Sequence, residues 1–362
     1  MPAPRPKSNH VTIVDVARTS GFSPSTVSIV LNEAPLSRYV AAKTKEHIRK
    51  TAKELGYRPD AFARSLRSRR SHTIGVLIFD ISDPFCTLIL QGIERALHPT
   101  AYLPIIMDAH NEQKQFEGYL EMLMERRVEG LIVVANWLFE EGGLLVNLKR
   151  NNLPTVVVGR DLSGDEILSV IVDNEAGGYA AMEHLYGLGH RKIAVIRGPE
   201  KLSDSNLRWE GIRRFAAEHD CELDDRRIRL LPEALDPTSG FEGGVSATGD
   251  LLRSGVEFTA ILAFDDLTAL GAVRALSRAG LSVPDDCSVI GFDDIPAAAF
   301  CTPAITTIRQ PMEDMGRIGT EWVLGAVQGG EEGAAVVPTM QPLPPCLVVR
   351  DSTKEARSSV SS

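Results

Sequence analysis

A chain of 362 residues, 43% hydrophobic and 24% charged, has the composition of an ordinary globular protein and the length for more than one domain. No apolar run approaches the ~20 residues that cross a bilayer. No apolar stretch follows the cationic first residues as it would in a secretory leader, so a cytoplasmic protein with no membrane partner is expected. The formal charge of −9 is unevenly spread: residues 1–72 hold 14 Lys and Arg against 5 Asp and Glu, a net of +9 that leaves −18 on the remainder. A basic head on an acidic body suggests a polyanionic partner for the head.

The first elements are short helices. Thr12 followed by Asp15 has the spacing of a capping box, and Ile13, Val16 and Ala17 give an apolar face that stops at Gly21. Ser23 then offers an N-cap with Pro24 at the first helical position, and Val27, Val30 and Leu31 supply the buried stripe of a second helix. Two helices joined through a glycine turn predict a helix-turn-helix. A third helix is predicted from about Thr44 to Leu55, closed by Gly56. The head is assigned to 1–59, and the basic run DAFARSLRSRRSH places a hinge at 60–72.

From Thr73 onward, strand-like runs (TIGVLIF, YLPIIM, GLIVVA, PTVVVG, SVIV, KIAVIR, TAILAF, CSVIGF) alternate with helical stretches, a pattern of parallel sheets wrapped by helices. The strands are too many for one comfortable sheet and divide near residue 173. The polar end, ARSSVSS, is expected to be disordered. The cysteines at 86, 221, 287, 301 and 346 are scattered and never spaced as CxxC, so neither a disulfide framework nor a metal or other cofactor is expected.

The segments VTIVDVARTSGFSPSTVSIVLN, ELGYRPDAFARSL, TIGVLIFDISDPF, VDNEAGGYAAMEHLYGLGHRKIAVIRGP, AFDDLTALGAV, VPDDCSVIGFDD and PAITTIRQP, in that order, resemble the lactose-repressor/galactose-repressor family of transcription regulators over nearly the whole chain. The resemblance implies an all-α helix-turn-helix head and an α/β periplasmic-binding-protein-like domain of two doubly wound parallel-sheet lobes. The lobes are expected at 73–172 with 305–335, and at 173–304 with 336–350, followed by a disordered tail at 351–362. It implies a homodimer on palindromic double-stranded operator DNA, and a small-molecule effector between the lobes. Leu202 stands where some purine-responsive relatives carry arginine, which favours a sugar or sugar derivative as the effector.

By the same resemblance, Pro24, Ser25 and Ile29 occupy base-reading positions. Thr12, Ser23, Thr26, Ser28 and Asn32 match phosphate and groove contacts. Ile29 departs from the long polar residue of many relatives and offers only apolar contact. The connection EAPLSRY is about three residues longer than the family's, with Arg38 within reach of phosphate or simply on a surface loop, and Ala41 replaces a common capping serine. In the hinge, Leu66 matches a side chain wedged into the minor groove, Ala63 its close-packing neighbour, and Arg64 and Arg67 phosphate contacts. For the effector, Phe85 matches a stacking residue and Arg208 and Asp266 match polar ligand contacts, with Arg160 and Asp173 as wall residues. Asp266 could instead cap the helix that follows it.

Other classes fit less well. The sequence has no GxGxxG, Walker loop, HExxH or GxSxG, so no enzyme is expected. An exported sugar-binding transport protein would share the two lobes but needs a leader and lacks a basic head. Control by a protein co-regulator remains an alternative at the sequence level.

Overall fold

The computed structural model describes residues 11–57, 70–135, 153–165, 167–232, 239–329 and 342–356. The chain divides into two compact units, Met1–Ser71 and His72–Ser362. In the first unit, α1 (Ile13–Ser20), α2 (Pro24–Leu31) and α3 (Ala42–Glu54) enclose a small core. Val16 and Ala17, Val27 and Val30, and Ile48 and Ala52 meet there, two from each helix. Gly21 ends α1 at φ 75°, a left-handed conformation that a side chain would strain, and this lets α2 start three residues later, at Pro24.

The second unit holds two sheets. The first has the order β2-β1-β3-β4-β5, formed by β1 (Thr73–Ile78), β2 (Leu103–Asp108), β3 (Gly130–Val134), β4 (Thr155–Val158) and β5 (Leu168–Val170), all parallel. The helix α4 (Pro84–Leu97) covers one face and α5 (Gln113–Glu125) the other. β1, β3 and β4 are buried almost throughout, as continuous apolar runs in a sheet covered on both faces must be.

The second sheet has the order β11-β10-β9-β8-β6-β7. Its strands are β6 (Ile193–Arg197), β7 (Ile228–Leu230), β8 (Ala260–Ala263), β9 (Ser288–Asp293), β10 (Thr306–Arg309) and β11 (Cys346–Val348). On one face lie α6 (Asn174–Gly187) and α7 (Ser203–Glu218). On the other lie α8 (Ser239–Ser254), α9 (Asp266–Arg278) and the short α10 (Pro296–Phe300).

Two boundaries differ from the sequence expectation. Residues 305–335 were expected in the first lobe, but β10 pairs in parallel with β9, Thr306 opposite Ile290, and so belongs to the second sheet. Only α11 (Met312–Gly329) returns to the first lobe, where it packs beside α4 so closely that a Cβ on Gly316 would lie 2.1 Å from the Ile89 carbonyl oxygen. The expected disordered tail, 351–362, is in part a pinned segment. Ser352 is fully buried, its hydroxyl accepting from Thr306 N at 2.8 Å and donating to Val289 O at 2.6 Å. His190, from the run GLGHRK, fixes the same segment, its Nε2 3.0 Å from Lys354 O and its Nδ1 2.9 Å from Thr259 Oγ1. Ser352 and His190 satisfy main-chain groups that would otherwise be buried unpaired, which makes that stretch part of the second lobe.

Candidate functional site

In the first unit the candidate residues cluster at the starts of α1 and α2 and along the exposed side of α2. Thr12 closes a capping box: its hydroxyl accepts from Asp15 N, and Asp15 Oδ2 accepts from Thr12 N at 2.9 Å. Ser23 caps α2, its Oγ accepting from Thr26 N at 3.1 Å and lying 2.9 Å from Thr26 Oγ1. Ser25, Ser28 and Ile29 are spaced to share one helix face, away from the buried Val27 and Val30. Pro24 and Ser25 are exposed at the helix N-terminus, the end that a major groove would receive. Asn32 turns back on its own helix, its Nδ2 donating to Ser28 O at 2.8 Å and Ser28 Oγ at 3.1 Å.

The longer connection forms a 3₁₀ turn, Pro35–Tyr39, with Leu36, Arg38 and Tyr39 exposed and the Arg38 guanidinium 4.8 Å from the centre of the Tyr39 ring. Ala41 starts α3 with no side-chain cap. The hinge residues Ala63, Arg64, Leu66 and Arg67 lie outside the described residues.

In the second unit a cavity opens between the lobes. It encloses about 50 Å³, and about 500 Å³ with its solvent-connected mouth. Phe85 lines it from the start of α4, where Asp83 caps the helix by accepting from Phe85 N at 2.9 Å. Arg208 lines it from the second lobe and is itself buried, with three of its five N–H donors committed. Nε donates to Asn174 Oδ1 at 2.9 Å, Nη1 to Phe264 O at 2.7 Å, and Nη2 lies 3.4 Å from Asp293 Oδ1. The guanidinium also sits 3.6 Å from the centre of the Phe292 ring, so its place is fixed by the protein.

Three of the five expected effector residues do not line this cavity. Asp266 is fully buried and ties elements of the second lobe together, accepting from Thr307 Oγ1 at 2.6 Å and from Ile295 N at 2.8 Å. Burial pushes its carboxyl up to about 7, against the pull of those two hydrogen bonds. The cap of α9 is Asp265, which accepts from Thr268 N at 2.7 Å and lines the cavity in place of Asp266. Asp173 caps α6, accepting from Ala176 N at 2.8 Å. Arg160 is half-buried, and its charge helps hold the Asp204 carboxyl down.

Sequence reasoning missed most of the polar wall: Asp83, Asp204, Asp265, Asp293 and Gln310. Burial raises Asp83 to about 6, with the charge of Asp265 adding to it against the Phe85 amide. It raises Asp204 to about 6 against the charges of Arg208 and Arg160. Asp293 is pushed well up by burial, against Arg208, while Asp265 and Asp266 push it further. Asp293 and Asp294 have φ of 110° and 63°, a left-handed pair held in place by Gln310 Nε2, which donates to Asp293 Oδ1 at 2.6 Å, and by Arg309, which donates to Asp294 Oδ2 at 2.6 Å. The Asp-Pro pair before Phe85 signalled a capped helix start. Asp204 and Gln310 carried no local signal.

Residues 12–60 match the model of bacterial regulatory proteins, lacI family, and residues 182–353 match a periplasmic binding protein-like domain. The chain is 34% identical over 328 residues to the HTH-type transcriptional repressor PurR of Pectobacterium atrosepticum, covering 90% of this chain and 93% of that protein. It is 35% identical over 314 residues to the ribose operon repressor of Escherichia coli, covering 86% and 91%. Among solved structures it is similar to the Lac repressor dimer bound to operator and an anti-inducer, with a TM-score of 0.81 at 28% identity over 95% of this chain and 99% of that one. It is also similar to a LacI family regulator from Enterococcus faecium with bound ribose, with a TM-score of 0.66 at 30% identity over 79% and 100%.

Proposed function

This chain belongs to the lacI family of bacterial regulatory proteins, and from that premise we propose that it is a dimeric, sequence-specific transcription repressor whose affinity for operator DNA is set by a small molecule held between its lobes. The observation that carries the reading is a pairing within one chain: a helix-turn-helix with an exposed polar face, and a cavity walled by both lobes of a second unit. Pro24, Ser25 and Ile29 read base edges. Thr12, Ser23, Thr26, Ser28 and Asn32 position the helix on phosphates and groove walls. A palindromic operator suits a two-fold dimer, because one head covers only a few base pairs.

The hinge, 60–72, couples the halves. On operator DNA, Leu66 and Ala63 contact the minor groove and Arg64 and Arg67 the phosphates. Phe85 and Arg208 hold the effector, a carbohydrate by the ribose-bound neighbour and the ribose operon repressor. The protein works in the cytoplasm by binding rather than by catalysis, and among the described residues no helix is long and apolar enough to cross a membrane.

The test compares the full chain with residues 73–362 on genomic DNA fragments, with and without sugars and nucleobases. The full chain is expected to bind specific fragments at least 1,000-fold more tightly, with log affinity falling by about 0.9 per phosphate neutralised for each tenfold rise in salt. At least one sugar should change that affinity. Equal DNA binding by residues 73–362 would overturn the assignment.

A further inference from the structure

Among its described lining residues, the cavity between the lobes has more carboxyl groups than cations. Asp83 faces it from the first lobe and Asp204, Asp265 and Asp293 from the second; among the described lining residues the one cation is Arg208, with three of its five N–H groups engaged by Asn174, Phe264 O and Asp293, and the charge of Arg160 also reaches Asp204. Asp83 and Asp265 lie on opposite sides of the gap, close enough for the charge of one to raise the carboxyl of the other. Each caps its own helix through Oδ1, and among the described residues neither Oδ2 takes a hydrogen bond. Among the described residues no group of three or more His, Cys, Asp and Glu is placed to hold a metal ion.

We propose that the effector carries no negative charge and donates hydroxyl or ammonium hydrogens to Asp83 and Asp265 together, bridging the two lobes. The proposal rests on the cleft-sensor reading above and sharpens it. An ionised carboxylate only accepts, and a hydroxyl-rich or amino-bearing ligand brings the donors it lacks. Phe85 and Phe264 line the cavity beside the carboxylates, and aromatic walls suit the C–H face of a sugar or an ammonium group. A phosphate or carboxylate would add charge of the same sign in a partly desolvated site where carboxyl groups outnumber the cations among the described residues. Bridging also gives the ligand a differential affinity for the arrangement in which the lobes approach, which is what a change in DNA affinity requires.

The experiment titrates the full chain by calorimetry with matched ligands: ribose and ribose 5-phosphate, then glucose, glucosamine, gluconate and glucose 6-phosphate. At least one neutral or amino ligand is expected to bind, with its phosphorylated or carboxylated counterpart at least 100-fold weaker. Glucose against glucosamine separates hydroxyl from ammonium donation. Asp83→Asn with Asp265→Asn keeps both helix caps, because asparagine caps as well as aspartate. The double variant should weaken the neutral ligand about 10-fold and shrink the discrimination against anions below 10-fold, with circular dichroism showing it folded. Tighter binding of an anionic member, or unchanged discrimination in the folded double variant, overturns the proposal and leaves the sensor reading intact. If no member binds and none alters DNA affinity, the sensor reading fails and the proposal with it.

Discussion

The helix-turn-helix unit and the cleft handle polar groups in opposite ways. In the head, Thr12 bonds Asp15 three residues on and Ser23 bonds Thr26 three residues on, both in solvent. In and behind the cleft wall, Arg208 reaches 34 residues to Asn174 and 85 to Asp293, and the fully buried Asp266 reaches 41 to Thr307. Local exposed contacts shape a surface and are worth little each, whereas distant buried ones decide whether the second lobe holds together.

The sharpest way to break that contrast is Asp266→Ala. It strips partners from the Ile295 amide and the Thr307 hydroxyl, and each unpaired buried group costs about 1–3 kcal/mol. A loss of about 2–4 kcal/mol is expected in denaturant melts of the second unit. Unchanged stability with the effector response gone would return Asp266 to the ligand role that the family resemblance implies.

Asp204→Asn should act in the other direction. Its carboxyl is raised from 3.8 to about 6, chiefly by burial, so the folded state binds its proton more tightly than the unfolded state does. The wild-type protein therefore loses stability as pH rises between those values, by about 1.4 kcal/mol per tenfold difference in proton affinity. The variant is expected to be more stable by about 2–3 kcal/mol at pH 7.5, with the gap closing as pH falls from about 6 to about 4. His184 and His190, lowered by burial, destabilise the protein toward acid in both forms, so they cancel in the difference. A gap independent of pH would mean that Asp204 is not a desolvated carboxylate.

The smallest effect belongs to the head. Ser23→Ala removes a cap worth about 1 kcal/mol. Hydrogen exchange should quicken in the first turn of α2 by a factor that does not change with pH, with no change in the second unit. A larger, unit-wide loss would show that the cap is not merely local.

These differences explain what could be read in advance. The capping box at Thr12, Ser23 with Pro24, the glycine end of α1 and the missing cap at Ala41 are set by neighbours within a turn, so residue order alone places them. The same holds for the eight apolar runs that became strands. Their alternation with helices implied parallel sheets, because covered strands are apolar on both faces. Of the cleft, Phe85 and Arg208 were found through resemblance, while Asp266 was one residue away from the wall that Asp265 forms.

What the sequence determined, then, is the class of each unit: a basic three-helix head and an acidic two-sheet body. Tertiary structure alone decided that β10 joins the second sheet, that Ser352 and His190 bury the stretch before the end of the chain, and that Asp83 faces Asp265 across the gap. The physical reason is range. Helix caps and strand periodicity are settled by near neighbours, but the side of the sheet edge a strand joins, and which carboxylates share one desolvated pocket, depend on residues tens to hundreds of positions apart.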